Sequence, residues 1–239
     1  MTCSSDPVCT PAWTLSETLL FTWNCGFFST SFGGAAGKVF FYGRWRTEHG
    51  KQTRMSEKKI SLPPSLADQF IVLIGLMGAG KSHLGRQLAT ATGLPFKDTD
   101  NEVEKAAGCS IEEIFDRYGE ADFRAGEKRV IARLFQDKPS IIATGGGSFM
   151  SHETRRLIKN RGVSIWLRAD LDLLDQRTKN RPHRPLLNQG NGREILAQLM
   201  KERHPVYEHA DIIFDVSDEP APESVERLMG ALIDHVEQF

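Results

Sequence analysis

Cysteine is scarce in this chain and long apolar runs are missing, and both shortages set limits. Of 239 residues four are cysteine, and Cys3, Cys9 and Cys25 fall near the start, leaving Cys109 alone in the remainder. That distribution argues against a disulfide framework and fits a reducing compartment. No stretch approaches the roughly 18 consecutive apolar residues that a transmembrane helix needs. A charge excess is also lacking: 30 basic against 31 acidic residues leave a net charge of −1. Bulk electrostatics therefore give no reason to expect nucleic acid or a membrane surface as a partner. No internal repeat is visible. Apolar content of 40% and charged content of 26% are near globular averages, so a sizeable core can form. The length suits one ordinary domain with an appendage, or two small domains.

Basic residues are absent before Lys38, and Asp6 and Glu17 are the only acidic ones there. A secretory signal, which needs basic residues ahead of its apolar stretch, is therefore not expected. Residues 1–54 hold 10 of the 21 aromatics and 13 Ser or Thr, with neither a helical nor a strand period sustained. The fragment "FGGAAGKV" imitates a phosphate loop but fails, because Phe32 stands at the first glycine position and Val39 follows Lys38. Three readings compete: a plastid-type transit peptide, a small folded extra domain, or a start codon set too early, with Met55 of "MSEKKISLPPS" as the natural start. The last is preferred. Residues 1–64 are expected to be disordered or poorly packed, ahead of a catalytic domain over 65–239.

From Phe70 the pattern becomes regular. "FIVLIG" reads as a buried parallel strand ending in glycine. Helical spacing follows over 82–92, then a second strand in "LPFKDTD". Ser110 and Glu113 form a capping box for a helix over 111–118, and a longer helix runs on to about Phe135. "SIIATGGG", "GVSIWLR" and "DIIFDV" supply three more strands, with helices at 152–160 and 221–237. This alternation predicts a three-layer α/β domain around a five-stranded parallel sheet, with ligands at the C-terminal ends of the strands.

Gly75, Gly80, Lys81 and Ser82 match G-x-x-x-x-G-K-[ST] between a strand and a helix, the context that motif requires. Glycines let backbone N–H groups close on phosphate oxygens, and the helix N-terminus adds partial positive charge. Lys81 is placed to reach the β and γ phosphates, and Ser82 to offer its hydroxyl to Mg²⁺. The bland alternative is a glycine-rich strand-to-helix turn.

Other constellations concern the acceptor. Asp98 and Asp100, two apart in a strand, would share one side of the chain; one can serve Mg²⁺ or take a hydroxyl proton, and the other can bind neighbouring hydroxyls. Alternatively they cap the following helix. Arg124 of "EADFRAGE" sits in the first turns of a helix, where the dipole gives a cation no advantage. Gly145, Gly146 and Gly147 follow the third strand and offer backbone N–H groups to a small anion. Arg203 of "KERHPVYE" lies near a helix end, where dipole compensation is the plainer reading. The basic stretch "QRTKNRPHRPLLNQGNG" reads as a mobile lid over about 178–192. A solvated loop or an RNA patch competes, the latter weakened because aromatic stacking residues are missing.

In this order the motifs "GLMGAGKS", "DTD", "FR", "ATGGGS", "RPLL" and "ERHPVY" resemble shikimate kinase, over residues 70 to about 216. The resemblance implies the P-loop kinase fold and transfer of the γ-phosphoryl of ATP to the 3-hydroxyl of shikimate, with Mg²⁺. It implies that Gly78, Ala79, Gly80, Lys81, Ser82 and His83 wrap the nucleotide phosphates, and that Asp98 supports Mg²⁺ and receives the hydroxyl proton. Asp100 would hold the ring hydroxyls. Arg124, Arg203 and the Gly146 backbone would clamp the carboxylate, flanked by Gly145 and Gly147. Arg184 would neutralise phosphoryl charge and Arg177 stack on adenine. His83 departs from the family's usual Thr, so altered nucleotide affinity is expected. The expected partner is the small-molecule substrate, with no nucleic acid and no membrane. The chain should act as a monomer in the cytoplasm, or in a plastid if residues 1–54 are a genuine transit peptide. Rival readings are another small-metabolite kinase, such as a gluconate kinase, or a nucleotide-dependent regulatory protein with a silent acceptor site.

Overall fold

Five apolar residues in a row, Phe70–Ile74, form β1, and all five are buried. Alternation is unnecessary because helices lie against both of its faces. The computed structural model describes residues 62–179 and 191–238. The expected N-terminal extension, apart from its last three residues, and most of the expected lid, including Arg184, lie outside the described residues.

A one-turn helix α1 (Pro64–Ala67) precedes β1, and α2 (Lys81–Thr92), β2 (Phe96–Asp98) and α3 (Thr99–Ala107) follow it. Next come α4 (Ile111–Leu134), β3 (Ile141–Ala143), a 3-10 turn at Ser148–Met150, α5 (His152–Arg161) and β4 (Gly162–Arg168). The chain continues with α6 (Leu171–Thr178), α7 (Gly192–Tyr207), β5 (Ile212–Asp215) and α8 (Ala221–Glu237). All strand pairs are parallel, in the order β2-β3-β1-β4-β5. From β1 the chain crosses to the edge strand β2, returns to β3 beside β1 and then passes over to β4 and β5, so the crevice beyond the ends of β1 and β3 lies at the point where the direction of winding reverses.

Helices α2 and α8 cover one face, and α4, α5 and α7 the other. The covering is incomplete at the β5 edge, where Ile212 and Phe214 are buried but Ile213 is 44% exposed. A buried polar residue helps to join two strands. Ser164, in the middle of β4, gives its N–H to Asp211 at 2.8 Å, and its hydroxyl accepts from the Asp211 N–H at 3.0 Å. This exchange fixes the entry of β5 against its neighbour.

One local expectation differs from the outcome. "KDTD" is not strand throughout: β2 stops at Asp98, and Thr99 already begins α3. The helix expected over 111–118 and the longer one running to about Phe135 both form, as two segments of α4 that meet at Gly119, whose φ of 80° and ψ of 175° are not helical. The Ser110–Glu113 capping box forms in both directions.

Candidate active site

The loop between β1 and α2 ends at Gly80, which has φ 93° and ψ 12° and stands as the N-cap of α2. That left-handed geometry is the reason for glycine, since the space around a Cβ there is open out to the Arg177 guanidinium at 3.8 Å. No side chain caps α2, whereas Asp98, Ser110 and Asp170 cap α3, α4 and α6. The first N–H groups of α2 are thus left for an anion. Lys81 folds back across the loop, donating from Nζ to the carbonyls of Gly75 and Leu76, both at 2.9 Å. This holds the ammonium over the loop.

Ser82 donates its hydroxyl to Asp98 Oδ2 at 2.6 Å. The other oxygen, Oδ1, accepts from the Asp100 N–H at 3.1 Å, so Asp98 also caps α3. The capping alternative therefore describes the backbone, and strand alternation does not explain why the two carboxylates share a cleft. The N-cap bond ties the Asp98 carboxylate to the backbone of Asp100 at the start of α3. Asp100 is pushed up to about 6 by burial, with Asp98 and Glu127 adding to the rise and Lys81 and Arg124 opposing it.

Beyond β3 the three glycines are packed against charged side chains. A Cβ on Gly145 would stand 2.4 Å from Glu127 Oε1 and 3.0 Å from Asp100 Oδ1. On Gly147 it would stand 2.5 Å from Arg124 Cζ, and on Gly146 3.2 Å from an Arg203 guanidinium nitrogen. Gly145 donates its N–H to Thr99 Oγ1 at 2.9 Å, tying the glycine turn to the first residue of α3. Arg203 is nearly buried and directed at Gly146, so dipole compensation is not its role.

Arg124 donates to Glu127 Oε2 at 2.9 Å and, more loosely, to Glu120 at 3.3 Å. Burial opposes the charge of this guanidinium, but Glu127 and then Glu120 raise its pKa above the ordinary arginine value. Glu127 is 2% exposed and also accepts from the Ser148 hydroxyl at 2.6 Å. Sequence reasoning passed over Glu127, although it is the last letter of "EADFRAGE" and stands three residues after Arg124 on one helix face, a spacing that pairs charges. It also passed over Tyr207, four residues after Arg203.

Gly78–His83, Asp98, Asp100, Arg124, Gly145–Gly147, Arg177 and Arg203 all line one cleft of about 820 Å³. Every expected site residue within the described residues is therefore in one place. Arg177 sits at the α6 end, donating to the Ser217 carbonyl at 3.3 Å. His83 is exposed, with Nε2 3.1 Å from the Gln87 side-chain nitrogen. Among the described residues no group of three or more His, Cys, Asp or Glu could cage a metal. The hard-oxygen pair of Ser82 and Asp98 nevertheless suits Mg²⁺, which is typically held by one or two protein oxygens, water and substrate phosphates.

A parallel sheet of this strand order, with a phosphate loop after its central strand and a charged cup across the cleft, defines a P-loop phosphotransferase of small metabolites. The family model described as shikimate kinase matches residues 77–233. A shikimate kinase of Paramagnetospirillum magneticum is 50% identical over 186 residues, spanning 77% of this chain and 95% of the relative. That of Caulobacter vibrioides (strain NA1000 / CB15N) is 49% identical over 167 residues, 70% of this chain and 84% of the relative. Among solved structures, shikimate kinase from Acinetobacter baumannii, determined in complex with shikimate, aligns with a TM-score of 0.68 and 34% identity, covering 71% of this chain and 95% of that one. The chain belongs to the shikimate kinase family, and it is a kinase enzyme.

Proposed function

We propose that this protein transfers the γ-phosphoryl group of ATP to the 3-hydroxyl of shikimate, giving shikimate 3-phosphate and ADP on the route to chorismate and the aromatic amino acids. One observation carries the reading. The phosphate loop and the arginine cup open into a single cleft, linked by Ser82 to Asp98, Asp98 to Asp100, and Asp100 across Gly145 to the cup.

In this reading the loop amides of Gly78–His83 hold the nucleotide phosphates, and Lys81 moves from its carbonyl partners to the β and γ oxygens. Mg²⁺ held by Ser82 and Asp98 would neutralise charge on the phosphate oxygens. Asp98 accepts the proton of the attacking hydroxyl. Asp100 binds the neighbouring ring hydroxyls, so that one oxygen faces the γ-phosphorus in line. Arg124 and Arg203, with Gly145–Gly147, hold the carboxylate at the far end of the ring. Arg184, outside the described residues, supplies positive charge to the phosphoryl in flight, and Arg177 lies against adenine. Every assigned residue among those described lines a cleft within one chain, which supports action as a monomer. The sparse cysteines support the cytoplasm, with a plastid as the site if residues 1–54 are a transit peptide. Among the described residues no helix is long and apolar enough to cross a membrane.

The test is a coupled ADP-release assay on the purified chain with ATP and Mg²⁺. Turnover that depends on shikimate is expected. Turnover with gluconate in its place would support the rival small-metabolite kinase, and no acceptor-dependent turnover would support a binding protein.

A further inference from the structure

Tyr207 is fully buried at the last residue of α7, with its ring near those of Trp166 and Phe149, at centroid separations of 5.8 and 6.3 Å. A phenylalanine would fill this space equally well. A buried phenol is favoured only where its hydroxyl finds partners. Here it donates to the Gly146 carbonyl, 61 residues away in sequence, and the Arg203 side chain one turn back on α7 is near enough to oppose the rise in the phenol's pKa that burial causes.

Its partner in the glycine turn is the carbonyl that the turn itself leaves over. The Gly145 carbonyl accepts from the Ser148 N–H at 3.1 Å, and the Gly147 carbonyl from the Met150 N–H at 3.1 Å. The Gly146 carbonyl takes its bond from Tyr207. Because a peptide unit is planar and trans, fixing that carbonyl also fixes the Gly147 N–H in the opposite direction. An Arg203 guanidinium nitrogen stands beside the same residue, 3.2 Å from where a Cβ on Gly146 would be.

We propose that Tyr207 is a positioning residue for the acceptor: its hydroxyl locks the Gly146 peptide and the Arg203 guanidinium into one rigid carboxylate receptor. This rests on the functional reading above, in which Arg203 and the glycine turn meet the carboxylate of shikimate. Tyr207 is not among the residues that line the cleft. Its removal therefore loosens acceptor binding and leaves the nucleotide half of the cleft alone.

The experiment compares the full-length wild type, Tyr207→Phe, Arg203→Ala and the double variant by steady-state kinetics. Tyr207→Phe is expected to raise KM for shikimate about tenfold, roughly the loss of one charge-assisted hydrogen bond. KM for ATP should stay within about twofold, and in the Arg203→Ala background the same change should cost less than about twofold, the non-additivity of a shared contact. An unchanged KM for shikimate, an equal rise for both substrates, or full additivity would overturn the proposal. If Tyr207→Phe does not fold, 4-aminophenylalanine at 207 keeps the donor to Gly146 and loses the acceptor for Arg203; a raised KM for shikimate alone is again expected, and an unchanged one overturns the idea. A wild type with no shikimate-dependent turnover would overturn the functional reading and this inference with it. An active wild type with an indifferent Tyr207→Phe would overturn the inference alone.

Discussion

Gly147 shows at the scale of one residue why three glycines follow β3. Their φ values do not demand glycine; the charged side chains pressed against them do. A methyl group on Gly147 would meet the Arg124 guanidinium at 2.5 to 2.6 Å, inside van der Waals contact, so Arg124 would have to leave its place beside Glu127. Gly147→Ala is expected to raise KM for shikimate about tenfold or more while KM for ATP changes less than about twofold, as steady-state kinetics would show. Equal effects on both substrates would mean that the turn serves the whole cleft. The three glycines in "TGGGS" signalled a close ligand in the sequence, but not that side chains of this chain occupy much of the space. Glu127 was hidden for a related reason. A lone glutamate on a charged helix reads as surface, and only folding reveals that it is 2% exposed between Arg124 and Ser148.

The elements were easier to read than their joints. Phe70–Ile74 and Gly162–Arg168 are runs that bury nearly every residue, and the patterns of α2, α5 and α8 lie close to their final limits. The end of β2 was misplaced because Thr and Asp serve a strand end and a helix start alike, and the cap that Asp98 forms with the Asp100 N–H decides the matter. At Gly119 the chain must leave the helical region before Glu120 and Arg124 begin a new helical segment within α4. Its φ of 80° suits glycine. Gly119→Ala is expected to cost about 1–2 kcal/mol of stability, measured by urea denaturation with an unchanged m-value. A neutral or stabilising alanine would show that the break is not enforced there.

For the whole molecule, the fold places two separately legible motifs where they can cooperate. The loop after β1 and the turn after β3 belong to neighbouring strands, whose register sets Leu73 against Ala143, so their ends open on the same crevice. Sequence alone could name both motifs. It could not show that Asp98 bridges them through Ser82 and the start of α3, because that depends on strand order. If the cup reads a carboxylate, an acceptor without that charge should lose what the cup supplies. The direct measurement compares kcat/KM for shikimate with that for its uncharged carboxamide, in the wild type and in Arg124→Ala. The carboxamide should be worse by about 100-fold or more in the wild type and by only about tenfold or less in Arg124→Ala, since charge-assisted hydrogen bonds contribute about 1.5–3 kcal/mol each. The same penalty in both proteins would contradict the placement of the carboxylate against Arg124.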